Sequence, residues 1–118
     1  MGDRQELGRD GEDAAAGYLT QRGMQLVSRN WRCRYGEIDI IAREGAVLVF
    51  CEVKTRRGTA FGVPLEAITA AKLARMRRLA VLWLEEVGGH RGPIRIDAVG
   101  VLRHRDGRFE IEHLRGVS

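Results

Sequence analysis

Within the segment GEIDIIAREGAVLVFCEVK, residues 36–54, the side chains Glu37, Asp39, Glu52 and Lys54 have the types and spacing to do chemistry together. The segment reads as two strands joined by a tight turn. Gly45–Ala46 suits a two-residue type II′ turn, which takes Gly at its first central position. That turn sets Glu44 opposite Val47, and counting outward sets Asp39 opposite Glu52 and Glu37 opposite Lys54. One face then carries Ile38, Ile40, Ala42, Val47, Val49, Cys51 and Val53, a core face. The other carries Ile41, Leu48 and Phe50 near the turn, followed by the charged group at the open end. The register holds for an even loop length.

Two carboxylates directly opposite each other on a sheet repel, so something must compensate them. A divalent cation is the first candidate, because Mg²⁺ is commonly held by one or two carboxylates with waters and substrate phosphate oxygens. Lys54 lies two residues beyond Glu52 on the same side of its strand, placed to polarise a water at such an ion or to neutralise a phosphate. The alternative is a cross-strand ion-pair lattice in which Lys54 and nearby arginines satisfy the acids. The opposed acids, the adjacent lysine and the basic surroundings favour the metal.

Other elements must position these groups. Residues 5–22 read as a helix, with Leu7, Gly11, Ala14, Ala15, Tyr18 and Leu19 on one stripe and Glu12 at its border. Gly23 ends it as a left-handed cap. Residues 25–34 form an irregular, Arg-rich strand before the hairpin, and TRRGTAFG (55–62) is a basic loop after it. A helical region runs from Pro64 to Val87, with Leu65, Ile68, Met76, Leu79, Trp83 and Val87 on one face. Thr69 is able to cap a separate helix within that span, leaving Leu65–Ile68 as a short turn. Residues 93–103 and 108–114 alternate like strands around the turn Arg105–Asp106–Gly107. The expected order is α-β-β-β-α-β-β, an α/β (α+β) domain around a central mixed sheet.

Length, charge and composition bound the function. At 118 residues, 44% of them apolar, the chain is long enough for one core of sheet and helix. A net charge of +4, carried mostly by Arg, fits a polyanion as partner. No apolar run resembles a signal peptide or approaches a membrane span, so no membrane partner is expected. Cys33 and Cys51 have no CxxC partner, which suits a reducing cytoplasm. His90, His104 and His113 have no zinc-site spacing.

GEIDIIA, followed thirteen residues from Asp39 by Glu52 in EVK, resembles the catalytic core of the PD-(D/E)XK nuclease superfamily. The wider run LGRDGEDAAAGYL, RNWRCRYGEIDIIA, LVFCEVKTR, FGVPLEAITAAKLARM and RIDAVGV resembles the YraN family over roughly residues 7–101. That is a group of small bacterial proteins named as uncharacterised and similar to archaeal Holliday junction resolvases. The resemblance implies a restriction-endonuclease-like core, one nuclease-like domain over 1–118, and Mg²⁺ or Mn²⁺ as cofactor. It implies Asp39 and Glu52 as metal ligands, the backbone carbonyl of Val53 completing the coordination, and Glu12 joining the site from the first helix. Lys54 would assist water activation. The superfamily proline before the Asp is absent, and Ile38 stands in its place. A homodimer would suit a resolvase, which cuts two strands symmetrically.

Around this core, Glu37 either orients Lys54, reaches the metal through water, or simply pairs with Lys54. Lys72, on the apolar side of the long helix, would point into the cleft and touch the scissile phosphate; its ordinary alternative is a snorkelling lysine. Arg32, Arg34, Arg56 and Arg57 flank the carboxylates and would grip phosphates either side of the cut. Arg75, Arg77 and Arg78 point in several directions and cannot all face DNA. Asp97 is expected to be an internal partner for Arg95, and Trp31 to pack. Phe61 is expected to anchor its loop rather than stack on an unpaired base. The expected function is a metal-dependent endonuclease acting on DNA, branched or structured DNA included. The alternatives are a non-catalytic nucleic-acid-binding module with a nuclease fold, and an interaction domain whose acids are structural.

Overall fold

The computed structural model describes residues 3–58 and 62–117, so Phe61 lies outside the described residues. The elements follow the expected order. They are α1 (Asp3–Gln21), β1 (Gln25–Cys33), β2 (Gly36–Glu44), β3 (Val47–Arg57), a 3₁₀ turn (Pro64–Ala67), α2 (Ala70–Val87), β4 (Ile94–Arg103) and β5 (Phe109–Leu114). They form one five-stranded sheet in the order β1-β2-β3-β4-β5. Only β3 and β4 run parallel; the other neighbours are antiparallel. The parallel pair needs a crossover, and the 3₁₀ turn and α2 supply it.

Both faces of the sheet are covered, which makes an α+β sandwich of three layers. On one face α1 lays Ala15, Ala16 and Leu19 over Ile40, Ala42, Val49, Cys51, Val53, Val99 and Val101. On the other, α2 lays Met76, Leu79, Ala80 and Trp83 over Ile38, Ile41, Leu48, Phe50 and Ile96. The apolar strand residues therefore belong to two half-cores, and Ile38 departs from the face expected for it. It joins the α2 side while Ile40 joins the α1 side, so the alternation of β2 slips between them.

The helix boundaries have local causes. α1 ends in a Schellman motif: Gly23 has φ 94°, its N–H donates to the Thr20 carbonyl, and Met24 N–H donates to the Leu19 carbonyl. The alternative held open at Thr69 is the observed one. Thr69 caps α2 by accepting from the Lys72 amide, and Pro64–Ala67 is a separate turn. That turn rests on β4, where a Cβ at Gly100 would lie 2.9 Å from Leu65 Cγ. Val87, placed on the core face by its spacing, is exposed at the helix end. No helix among the described residues is long and apolar enough to cross a membrane.

Candidate functional site

The Gly45–Ala46 turn pairs Glu44 with Val47 as expected, and the ladder continues in that register to Ile40–Cys51. It goes no further. One residue outward, the Asp39 carboxylate accepts the Val53 N–H at 2.8 Å, taking a backbone donor that an unbroken ladder would use. The expected backbone pairs Asp39–Glu52 and Glu37–Lys54 are therefore not formed; β2 and β3 part at this point. The β1 side is irregular at the same level. Arg29 pairs with Ile40 and Trp31 with Ile38, while Asn30 between them stands at φ 54°. Asp39 thus sits where β2 changes face, at a flaw shared by both of its ladders.

From α1, Glu12 approaches this flaw because the helix comes down unusually close to β3. A Cβ on Gly11 would lie 2.0 Å from Thr55 Oγ1 and 2.8 Å from Thr55 Cβ, so only glycine fits at that crossing. From α2, Lys72 and Arg75 approach on the face that Glu52 and Lys54 share with Phe50.

The electrostatics bind these groups into one site. Asp39 is buried, and its pKa is pushed up to about 8 by burial first and then by the Glu52 charge. The Val53 amide offsets part of this, while Glu12 and Glu37 push the same way. Glu52 is raised by burial, against the pull of Lys72, Arg75 and Lys54. Glu12 is raised by burial and by Glu37, against a hydrogen bond from Asn30 and the charge of Arg29. Three acids held above their usual range in one place mean that the fold itself does not neutralise them.

Asp97 shows what a neutralised acid looks like in the same protein. It is fully buried, yet hydrogen bonds pull its pKa below the usual range against the burial. Arg95 grips it with two nitrogens at 2.7 and 2.9 Å, the Gly116 N–H donates at 3.0 Å, and His113 Nε2 lies 2.7 Å away. Its expected role as an internal partner of Arg95 is borne out.

The positive groups are equally informative. Of the 20 Lys and Arg residues only Lys54 and Lys72 are lysines, and the charges of both act on Glu52. Arginine is a permanently charged fork, whereas a lysine ammonium is a point charge that can hold or release a proton. A chain that otherwise uses Arg has Lys at both of these places.

Glu37 forms its ion pair with Arg32, so of the readings left open for it the simple pair with Lys54 is not the one observed; strand pairing sets Arg32 and Glu37 side by side. Arg32 thereby reaches the edge of the acidic group. The Arg34 guanidinium lies over the Tyr35 ring. Arg56 and Arg57 end β3 beside Leu102 and Arg103. The Nε of Arg56 is buried without a hydrogen-bond partner among the described residues. Val53 enters through its N–H. Trp31 packs against the α2 side, and its indole N–H donates to Glu86 at 3.0 Å. Burial pushes the Cys51 thiol up, leaving it inert. Sequence reasoning missed Asn30 and Arg75 as members of the site. An Asn inside a strand, a residue tolerant of positive φ, was the available signal for the first.

Among the described residues, no three Asp, Glu, His or Cys side chains gather closely enough to hold an ion by themselves. Asp39 and Glu52 offer hard carboxylate oxygens, Asp39 with no cation among the causes acting on it and Glu52 under the pull of Lys72, Arg75 and Lys54. This suits Mg²⁺ or Mn²⁺ completed by water and substrate oxygens rather than a softer metal.

The family model described as Uncharacterised protein family UPF0102 matches residues 11–101, which include every acid and lysine of this site. The chain belongs to the UPF0102 family. A UPF0102 protein of Streptomyces griseus is 56% identical over 119 residues, covering the whole of both chains. One from Nocardia farcinica is 53% identical over 117 residues, covering 99% of this chain and 92% of its own. One from Beutenbergia cavernae is 54% identical over 112 residues, 95% of each.

Proposed function

We propose that this protein is a Mg²⁺- or Mn²⁺-dependent endonuclease of the PD-(D/E)XK type, similar to Holliday junction resolvases, that hydrolyses phosphodiester bonds in branched DNA. The observation that carries the reading is the contrast between two buried aspartates. Asp97 is fully satisfied by its own fold, whereas Asp39 has one backbone N–H and faces Glu52, Glu12 and Glu37. The mixed sheet with a helix on each face is compatible with a nuclease-like core.

In this reading Asp39 and Glu52 hold the divalent ion, with Glu12 beside them and the Val53 carbonyl as a further donor. The ion, when bound, supplies positive charge that acidifies water and offsets charge on the phosphate. Lys54 takes or steadies the proton of the attacking water, a task that suits a lysine and not an arginine. Lys72 and Arg75 hold the phosphate against the Glu52 side, and Arg32 keeps Glu37 turned toward the acids. Arg34, Arg56 and Arg57 serve the flanking phosphates.

The test is cleavage of four-way-junction, flapped and linear DNA under Mg²⁺ and Mn²⁺, with Asp39→Ala and Lys54→Ala alongside. Metal-dependent product lost in both variants, with both still folded, is expected. Salt-sensitive DNA binding without product under either metal would replace the enzyme with a non-catalytic binding module. Cleavage that survives both substitutions would show that the chemistry lies elsewhere.

A further inference from the structure

Of the groove between the β1–β2 turn and α2, the reading above uses only the Arg75 lining residue. It encloses about 570 Å³ and is lined by Tyr35, Arg75, Arg78, Leu79, Val81 and Leu82. Its walls are mostly apolar, and the charged residues that line it among the described residues are Arg75 and Arg78. Tyr35 is 62% exposed and Val81 52%, so the fold leaves an aromatic ring and a branched aliphatic facing open space. The Arg34 guanidinium lies 5.2 Å from the Tyr35 ring centroid, which adds a third cation at the rim. The turn is held low over α2 because residue 36 is glycine: a Cβ there would lie 3.3 Å from Leu79 Cδ1 and 3.8 Å from Arg75 Cδ.

Arg75 makes this groove continuous with the acidic site. Its side chain lines the groove, and its charge acts on Glu52. A strand whose phosphate lies at Glu52 and Lys54 therefore has this groove as its next stop along α2.

We propose that the groove receives an unpaired nucleobase of the substrate strand, stacked against Tyr35, with Arg34, Arg75 and Arg78 on the neighbouring phosphates. The inference rests on the nuclease reading and specifies its substrate: DNA with at least one unpaired nucleotide beside the cut. An accessible aromatic ring, apolar walls and cations at the rim are the parts from which single-strand platforms are built. A base inside a duplex is stacked between its neighbours and enters only after it is unpaired and unstacked, which disfavours it against a base already free. The volume lies within the range of about 300–1,000 Å³ that accommodates small organic ligands, ample for one base.

Fluorescence anisotropy in Ca²⁺ with labelled flapped DNA and a blunt duplex of equal length tests this. The wild-type protein should prefer the flapped DNA. Tyr35→Ala should weaken flapped-DNA binding roughly tenfold, the share of one base–aromatic stack, and leave duplex binding unchanged. Tyr35→Phe should keep the preference, and Val81→Glu should lose it; both positions are exposed, so all three variants should keep the wild-type melting temperature. Equal losses on flap and duplex, or no loss in Tyr35→Ala, would overturn the proposal. So would a change of oligomeric state in Tyr35→Ala, which would make a second copy of the chain the occupant. A Tyr35-dependent preference without cleavage in Mn²⁺ would uphold the groove and remove the nuclease. Cleavage without that preference would do the reverse.

Discussion

Replacing Asp39 with Asn should stabilise the metal-free protein, and by an amount that grows with pH. An ordinary Asp titrates near 3.8, and in the fold Asp39 is pushed up to about 8 by burial and by Glu52. A group whose folded pKa is raised contributes fully below its unfolded value, and that contribution is lost as pH rises through the folded one. The wild-type protein therefore loses stability on this account between about pH 4 and pH 8, at up to about 1.4 kcal/mol per unit. The full span is several kcal/mol, a large share of the about 5–15 kcal/mol that holds a domain of this size together. Asn has the same shape, keeps an oxygen for the Val53 N–H and carries no charge. The gain at pH 9 should be about 2–4 kcal/mol, below the full span because Glu52 and Glu12 readjust when one charge leaves. Urea melts in EDTA at pH 4.5, 7 and 9 measure it. The variant and wild type should nearly coincide at pH 4.5 and separate progressively above. Groups outside the acidic cluster titrate alike in both proteins, so their difference isolates Asp39 together with the neighbours it couples to. If Asp39→Asn is equal or less stable at every pH, the carboxylate is satisfied within the fold and the argument for a ligand at this site fails.

Asp97→Asn should do the opposite, destabilising by about 3 kcal/mol or more because it breaks a buried, multiply bonded pair with Arg95. The pKa of Asp97 is lowered, so its contribution is present above about pH 4 and lost as pH falls through the folded value; acid melts of the two proteins check both statements. Mn²⁺ binding should release protons below pH 8 and tighten as pH rises from 6 to 8, which calorimetry in buffers of different ionisation enthalpy would detect; affinity flat across that range would refute it. Lys54→Arg should keep DNA binding within a few-fold yet abolish cleavage, since a guanidinium keeps the charge but cannot give up and take back a proton; retained turnover would reduce Lys54 to a phosphate clamp. Gly11→Ala should cost about 1–3 kcal/mol despite the about 1 kcal/mol that Ala gains in a helix, because the Thr55 Cβ cannot rotate out of the way. A denaturant midpoint at or above wild type would show that α1 can move.

Much of the fold was legible because its signals are local. Alternating apolar residues, the Gly45–Ala46 turn, Gly23 and the Thr69 cap each act within a few residues, and the element order followed from them. What was not legible depends on contacts between segments. The register from Glu44–Val47 to Ile40–Cys51 was readable, but not its end. Simple alternation kept Ile38 with Ile40 and paired Asp39 with Glu52, because no rule of spacing shows that Asn30 takes a positive φ beside Asp39. The same count set Glu37 opposite Lys54, whereas β1 brings Arg32 to it. The acids and lysines themselves could be chosen from type and spacing. That α2 turns Lys72 and Arg75 toward Glu52 depends on where the Pro64–Ala67 turn rests on β4, and distant packing of that kind leaves no local trace.

The departure from regular pairing at Asp39 also accounts for the way the molecule distributes its stability. A strand that changes face halfway along gives up ladder hydrogen bonds and packs one apolar residue into each half-core, which alone would loosen the sheet centre. The same slip gives Asp39 access to Glu12 on the α1 side and to Glu52 on the α2 side, which no regular strand position offers. Compensation lies on β4, two strands away, and at the far end of the hairpin. There Arg95 joins Asp97 to Glu44, Arg115 also reaches Glu44, and His113 and the Gly116 amide tie β5 and the chain beyond it to Asp97. Natural sites that concentrate like charges are destabilised in this way and rely on structure elsewhere. The arrangement has a consequence that can be measured: loosening the Asp97 network should unfold the protein before it alters the acidic site, whereas neutralising Asp39 should silence the site in a protein that folds better than its parent. Finding both in one set of melts and binding titrations would separate the two aspartates by role.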